Sequence, residues 1–484
     1  MNKLAIYKDR QLSDEVAYTP RIEKIDPRPL KVGSPNFHSD VGFADAFATR
    51  YQNRIRYIRE EGKWLIFRND TGWQRDRGGE ALALISEYTR EIHAELTNSI
   101  AVSGFDEGKM KLVRGLGSLK KMQAALQICS CNPEVAVSQC ELDFDPDLLG
   151  VQNGVVNLRD GTFTEHAPDL LVTRQCACGY DPDAGCPRFL EFLSITQPNP
   201  EIRDYLQRLA GYSFTGLTTE HILPFHYGAG GNGKGTFLER CILKMSGSYA
   251  RKLTDRIVYS TDHGPAPDLE IAGLQGYRFV LGEENARGGA LNERFLKAIT
   301  GEDQLKGRKH YQEFDEFTPT AKVHLVGNHL PRIVGTDEGI WRRFYLIPWE
   351  QRLPNNQGAT NHSKILEGEF SGILNWVIAG AREFYRTGTN PPALIIARSE
   401  SFRNDSDTVG TFLREKTTQD PGGVISKGDL YSSYTRHCEE NGIQPRFRLS
   451  KKSFGMDLKG RGMAEETRNN IRLWIGIRMN WADG

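Results

Sequence analysis

The sequence predicts an α/β core with an α+β region before it and a small module of helices and a hairpin after it. Three observations point to the core. A short apolar run, Ile222 to Tyr227, leads into the glycine loop Gly228-Ala229-Gly230-Gly231-Asn232-Gly233-Lys234-Gly235-Thr236, and a helical stretch follows from Phe237. A second apolar run, Arg278 to Gly282, ends in Glu283 and Glu284. A third, Lys322 to Gly327, ends in Asn328.

The bulk composition bounds the answer. At 484 residues the chain is too long for one ordinary core and is expected to divide into domains. With 38% hydrophobic and 26% charged residues it reads as a soluble globular chain. No run approaches the roughly 18 consecutive apolar residues of a membrane span, so no membrane role is expected. Met1 to Asp9 carry no long apolar stretch after their charges, so a secretory signal is not expected and a reducing cytoplasm, bacterial or of a host cell, is the expected setting. A formal net charge of zero argues against a small DNA-coating protein. It leaves room for a ring with a positive channel and a neutral outside. The eight cysteines include two C-x-C pairs, Cys129 with Cys131 and Cys176 with Cys178, but no C-x-x-C, and are read as free thiols.

Residues 1–40 are rich in proline and charge and read as an arm or tail. Residues 41–220 form the α+β region: Trp64 to Phe67, Asn69 to Gly72 and Trp73 read as strand, turn and strand. Gly154 to Leu158 and Thr162 to Thr164 form a hairpin about an Asp-Gly turn, and Phe189 to Tyr212 is helical. The core spans 221–350, a helical segment and linker 351–404, and a separate basic module 405–484.

Strand, glycine loop and helix form the context in which a phosphate is held. The glycines let backbone N–H groups turn inward, the helix start adds its positive end, and Lys234 is placed to reach β- and γ-phosphates. The position after the lysine, which should carry a hydroxyl for Mg²⁺, is Gly235; Thr236 is the candidate to take that role. The same stretch matches the dinucleotide pattern Gly228-x-Gly230-x-x-Gly233. That reading needs Asp255 at the end of a second strand, for which Arg251 to Thr254 are poor material, and it leaves Lys234 unexplained.

The paired acids suit a nucleotide site: Glu283 to hold the metal, with Thr236, and Glu284 to orient water. Asn328 is a candidate to bond the γ-phosphate or the attacking water, against the plainer reading of an Asn turn before proline. Arg342 and Arg343 are candidates for a guanidinium acting on a neighbouring subunit, or for an ordinary packed ion pair. Lys306, Arg308, Lys309 and His310 flank a glycine and suit contact with a polynucleotide, or else a solvated face. Asp143, Asp145 and Asp147 alternate as a polymerase site would, but without further catalytic residues they read as turn residues.

Taken in order, Gly228 to Thr236, Phe279 to Glu284, Ala298 to Asp303, Phe314 to Pro319, Gly327 to Pro331 and Gly335 to Arg343 resemble the superfamily 3 helicases, in the phage, plasmid and poxvirus primase–helicase branch. Phe144 to Arg174 resembles the domain that precedes the motor there, and residues 41 to 480 are covered in all. The resemblance implies an AAA+-like P-loop ATPase assembled as a ring, commonly a homo-hexamer, that binds ATP and Mg²⁺ and moves 3′→5′ on single-stranded or forked DNA. A separate primase or loader is an expected partner. The implied roles are Lys234 for phosphates, Glu283 and Glu284 for metal and water, Asn328 as sensor and Arg342 or Arg343 as finger. Lys306 to His310 would be the DNA-gripping hairpin. Three helices and a hairpin in 405–484 fit a winged helix, with Lys451 and Lys452 opening its recognition helix, or a subunit contact. A non-unwinding translocase and an ATP-switched origin-binding initiator are the alternative functions.

Overall fold

The computed structural model describes residues 39–480, apart from 105, 261–267, 284–288, 309–313, 334–337, 354–363, 444 and 446–447. Two compact units divide the chain: Met1–Ile66 with Arg75–Val137, and Phe67–Gln74 with Ser138–Gly484.

In the first unit, helix Asp40–Tyr51 is capped by the Ser39 hydroxyl, which accepts from the Gly42 amide at 3.0 Å. Its Phe43, Phe47 and Tyr51 pack on Leu84, Tyr88 and Ile92 of helix Glu80–Ser103. That longer helix starts under Asp76, whose carboxylate accepts from the amides of residues 78, 79, 80 and 81. Partial burial alone would raise the Asp76 pKa, but the amides outweigh it and hold the carboxyl below its usual range. Strand Ile55–Ile58 pairs antiparallel with Lys63 to Ile66 and parallel with Ala136–Val137.

The second unit is built on a five-stranded sheet: β1 (Leu223–Tyr227), β2 (Ala250–Lys252), β3 (Phe279–Glu283), β4 (Lys322–Gly327) and β5 (Phe344–Pro348). Their order is β5-β1-β4-β3-β2, with neighbours parallel. Alternate residues divide between the faces, as the two-residue period of a strand requires. Leu223, Phe225, Val280, Val323, Leu325, Phe344 and Leu346 enter one core with helix Glu293–Ile299. Phe279, Leu281, Ile347 and Trp349 enter the other, against helices Pro187–Thr196, Pro200–Phe214 and Phe370–Thr387 and the helix after the glycine loop. Helices Pro200–Phe214 and Phe370–Thr387 cross through Gly211 and Gly380, where a β-carbon would strike the opposite backbone.

Hairpin Leu148–Val151/Gly154–Asn157 and the two helices between 187 and 214 thus belong to the core of the second unit. The division between the two units falls at Val137/Ser138, and the apolar faces of these elements cover this sheet. Helix Phe370–Thr387, within the helical segment and linker expected over 351–404, is a layer of the same core. Arg251 and Lys252, expected to make a poor strand, form the edge strand β2, where charged side chains keep contact with water. No helix among the described residues is long and apolar enough to cross a membrane.

The face covered by the three helices also holds two buried histidines. The Trp349 indole N–H donates to His226 Nδ1 at 3.1 Å, His226 Nε2 lies 3.2 Å from His324 Nδ1, and His324 Nε2 lies 2.8 Å from Ser213 Oγ. An indole can only donate, so each later proton is assigned in turn: both rings carry it on Nε2, and Ser213 donates onward to Leu209 O at 2.7 Å.

The C-terminal module has helices Thr408–Lys416, Lys427–Glu440 and Lys451–Gly460 around Phe412, Tyr434, Phe454 and Trp474. Strands Ala464–Arg468 and Ile471–Met479 form the expected hairpin. Its tip, Asn469 and Asn470, has φ of 48° and 63°, the left-handed pair of a two-residue turn. A third strand, Thr417–Ser426, pairs with Ile471–Met479 and was not foreseen.

Burial, with the charge of Lys322, lowers the His324 pKa from 6.5 to about 3; burial, with His324 and Lys234, lowers His226 well below 6.5. The neutral pair therefore contributes stability that is complete above the unfolded value of 6.5 and is lost as pH falls towards 3. His324→Gln is expected to cost about 1–3 kcal/mol at pH 7.5 and to make the fall in stability below pH ~6.5 shallower. Urea midpoints at several pH values measure both effects, and parallel curves for the two proteins would refute the assignment.

Candidate functional site

The glycine loop leaves β1 at its C-terminal end and turns into a helix wound as a π-helix over Thr236–Leu243. Gly233 has φ +89°, and a β-carbon there would meet Thr196 Cγ2 at 2.6 Å, so the loop lies directly on helix Pro187–Thr196. Asn232 is buried and donates from Nδ2 to Trp349 O at 2.7 Å. Gly230 and Gly231 are exposed.

Lys234 is 5% exposed. Its ammonium donates to Gly228 O at 2.5 Å, Asn232 Oδ1 at 3.1 Å and Asn328 Oδ1 at 3.1 Å. Asn328 follows β4, the neighbour of β1, so the parallel pairing of these strands brings the two residues together. Glu283 ends β3, one strand further on. Its Oε1 accepts from Lys252 Nζ at 2.5 Å, and Lys252 also meets Glu239 Oε2 at 2.8 Å. Partial burial would lower the Lys252 pKa, but the two carboxylates outweigh it and hold the ammonium above its ordinary value. Neither Lys252 nor Glu239 was singled out by sequence: a lysine on a short edge strand and a glutamate inside a helix carry no motif.

At Gly235 the backbone is helical, and a β-carbon would meet only Glu239 Oε1, at 3.5 Å. Thr236 is half-buried at the start of the helix. Among the described residues no group of three or more His, Cys, Asp and Glu side chains is placed to hold a metal ion. Glu284, Lys309 and His310 lie outside the described residues.

The two arginines are placed differently. Arg343 is 8% exposed and is held inside its own chain by Thr300 Oγ1 at 3.2 Å and Gly339 O at 2.7 Å. Arg342 is exposed. Leu305–Arg308 pairs antiparallel with Phe314–Phe317 as a hairpin, seated where Gly307 meets Ala272. Lys306, 71% exposed, forms an ion pair with Glu316 at 2.6 Å, and Arg308 is exposed. The alternating aspartates are occupied by the fold: Asp143 accepts from Thr173 and Arg174 amides, and Asp147 meets Arg159 and Tyr385. Asp145 accepts from the Asp147 amide.

In the C-terminal module, Lys427, Lys451, Lys452, Lys459, Arg472 and Trp474 line one cleft of about 800 Å³. The Lys427 ammonium stands 4.5 Å over the Trp474 ring. Glu465 takes both Lys427 and Lys459, and these bonds lower its pKa to about 2. Lys451 and Lys452 begin the helix under the Ser450 cap. Sequence reasoning found these two but missed Lys427 and Arg472, which reach the cleft from another helix and a strand.

A glycine loop with a buried ammonium, on a sheet where a neighbouring strand ends in a carboxylate, is an arrangement able to hold a polyanion. Residues 44–198 match the family described as D5 N terminal like, and residues 226–343 match a family of unknown function, DUF5906. The chain is 25% identical over 429 residues to "Putative helicase L207/L206" of Acanthamoeba polyphaga mimivirus, covering 78% of this chain and 44% of that protein. It is 23% identical over 266 residues to "Putative helicase 022R" of Frog virus 3, covering 51% and 27%. It is 25% identical over 329 residues to "Putative primase C962R" of African swine fever virus, covering 62% and 34%. The chain thus spans less than half the length of each of these relatives. The solved apo structure of the NrS-1 C terminal region (305–718) is similar at a TM-score of 0.46 and 11% identity, covering 91% of this chain and 100% of that one. The two family regions in this order, and relatives bearing helicase and primase names, fit a primase–helicase of the phage and poxvirus type.

Proposed function

We propose that the chain is an ATP-driven DNA helicase serving the replication of a phage, plasmid or other mobile element. In this reading the five-stranded unit is an AAA+-like P-loop ATPase working as a ring, a homo-hexamer, on single-stranded DNA with 3′→5′ polarity. The C-terminal module is a winged helix that binds duplex. The observation that carries the reading is the meeting of Lys234 with Asn328 across neighbouring strands, beside the carboxylate of Glu283. A strand placed between the glycine-loop strand and the acidic strand sets a side-chain amide between the phosphate cradle and the acid, where a terminal phosphate would be cleaved.

Lys234 binds the phosphates, Asn328 orients the terminal phosphate or the water, and Glu284 activates that water. Mg²⁺, when bound, neutralises phosphate charge, with the Thr236 hydroxyl and Glu283 as its protein ligands. The Glu283 carboxylate and the half-buried Thr236 hydroxyl offer the oxygen donors such an ion takes. The exposed Arg342, rather than the internally bonded Arg343, supplies the guanidinium to a neighbouring subunit's nucleotide. Lys306 and Arg308 of the hairpin grip the strand in the pore.

Lys234→Ala is expected to lower DNA-stimulated ATP turnover by about 100-fold or more and to abolish strand displacement on a forked duplex. A variant that still unwinds would end the motor reading. Unwinding absent from the unaltered chain, with turnover intact, would favour a translocase or switch. Thr236→Ala is expected to raise the Mg²⁺ concentration for half-maximal turnover about tenfold. Adding Gly235→Ser, for which there is room, should recover part of the loss. An unchanged Mg²⁺ requirement in Thr236→Ala would remove Thr236 from the metal. Lys451→Ala and Lys452→Ala are each expected to weaken duplex binding at every sequence and to reduce the salt slope by about one. Titration at several salt concentrations measures this, and an unchanged slope would point to a subunit contact instead.

A further inference from the structure

The strand order fixes which way a nucleotide lies on the glycine loop. Asn328 and Glu283 follow β4 and β3, both on one side of β1. On the other side is β5, and the chain beyond it is bonded to the loop. Trp349 N donates to Tyr227 O at 2.7 Å, and Leu353 N donates to Gly231 O at 2.9 Å. Asn232 Nδ2 donates to Trp349 O at 2.7 Å. Between the loop and this strap lies a cavity of about 610 Å³, lined by the loop and by Tyr227, Trp349, Glu350 and Arg352. Its volume falls within the roughly 300–1,000 Å³ of small-molecule sites.

A triphosphate with its terminal phosphate towards Asn328 and Glu283 must direct its other end towards β5. We infer that the cavity between the glycine loop and residues 349–353 receives the nucleoside half of the nucleotide, base and ribose, with Arg352 lying against the base. This rests on the ATPase reading of the loop. The chemistry of the lining agrees with it. Arg352 is exposed and has no partner among the described residues, so its planar guanidinium is available to stack on an aromatic base. Tyr227, half-buried, offers a ring on the same wall as the loop. Glu350 gives Oε1 to Arg398 at 2.8 Å, and a carboxylate has further acceptor capacity for a ribose hydroxyl. The three hydrogen bonds bind the strap to residues 227–232, so a base seated there and the phosphates on the loop are held by one frame.

The test uses the full chain and Arg352→Ala, an exposed position whose truncation leaves the core alone. Two quantities are read: the KM for ATP in steady-state turnover, and the inhibition constant of inorganic tripolyphosphate, which carries the phosphates without a nucleoside. The expected result is a KM raised roughly tenfold, with inhibition by tripolyphosphate unchanged. Arg352→Lys, which keeps the charge and loses the plane, should fall between the two. An unchanged KM would overturn the inference while leaving the motor intact. So would a parallel loss of tripolyphosphate inhibition, since Arg352 would then act on phosphates. An unaltered chain that splits no nucleoside triphosphate would overturn the parent reading and this one together.

Discussion

The Lys234 ammonium lies almost wholly out of water and reaches a backbone carbonyl and two side-chain amides. Removing such a charge from water costs several kcal/mol, and dipoles return only part of that. The geometry around the lysine is constrained accordingly. Gly228 must turn its carbonyl inward, Asn232 must face the lysine with Oδ1 and Trp349 with Nδ2, and Asn328 must stand beside the loop at the end of β4. The loop, β4 and the chain after β5 are thereby referred to one nitrogen atom.

The frame beneath the loop follows the same logic in neutral form. His226 and His324 are tolerated between apolar layers because every donor in the run from Trp349 to Leu209 has an acceptor. Trp349 takes part in both systems: its indole starts the buried run, and its carbonyl holds Asn232. The glycine loop is therefore mounted on closely packed, hydrogen-bonded elements. The ion pairs of Lys252 with Glu239 and Glu283 are partly exposed and compete with any cation drawn to those carboxylates.

What was legible in the sequence was local. The glycine loop, the apolar runs that became β1, β3 and β4, the Asp-Gly hairpin and the Asn469-Asn470 tip all announce themselves within a few residues. The family resemblance came from their order. Long-range pairing was not legible: nothing in Lys322 to Gly327 says that it inserts between β1 and β3. Adjacent arginines look alike in sequence, and only the fold shows Arg343 enclosed and Arg342 exposed. The change of pattern near 220 lies within one core. Leu149, Val156 and Phe189 belong to the core on one face of the sheet. Strand Thr417–Ser426 was missed because Pro421-Gly422-Gly423 interrupts its alternation, and the register indeed shifts between Gln419 and Val424.

That last strand has a structural corollary. It directly follows the first helix of the C-terminal module and pairs along Ile471–Met479, the last strand described. Asn480 N donates to Lys416 O at 2.8 Å, so the end of the last described strand is tied to the end of the module's first helix. Loss of Ile471–Met479 would therefore strip both the sheet and the end of that helix in one step, so the module opens as a unit.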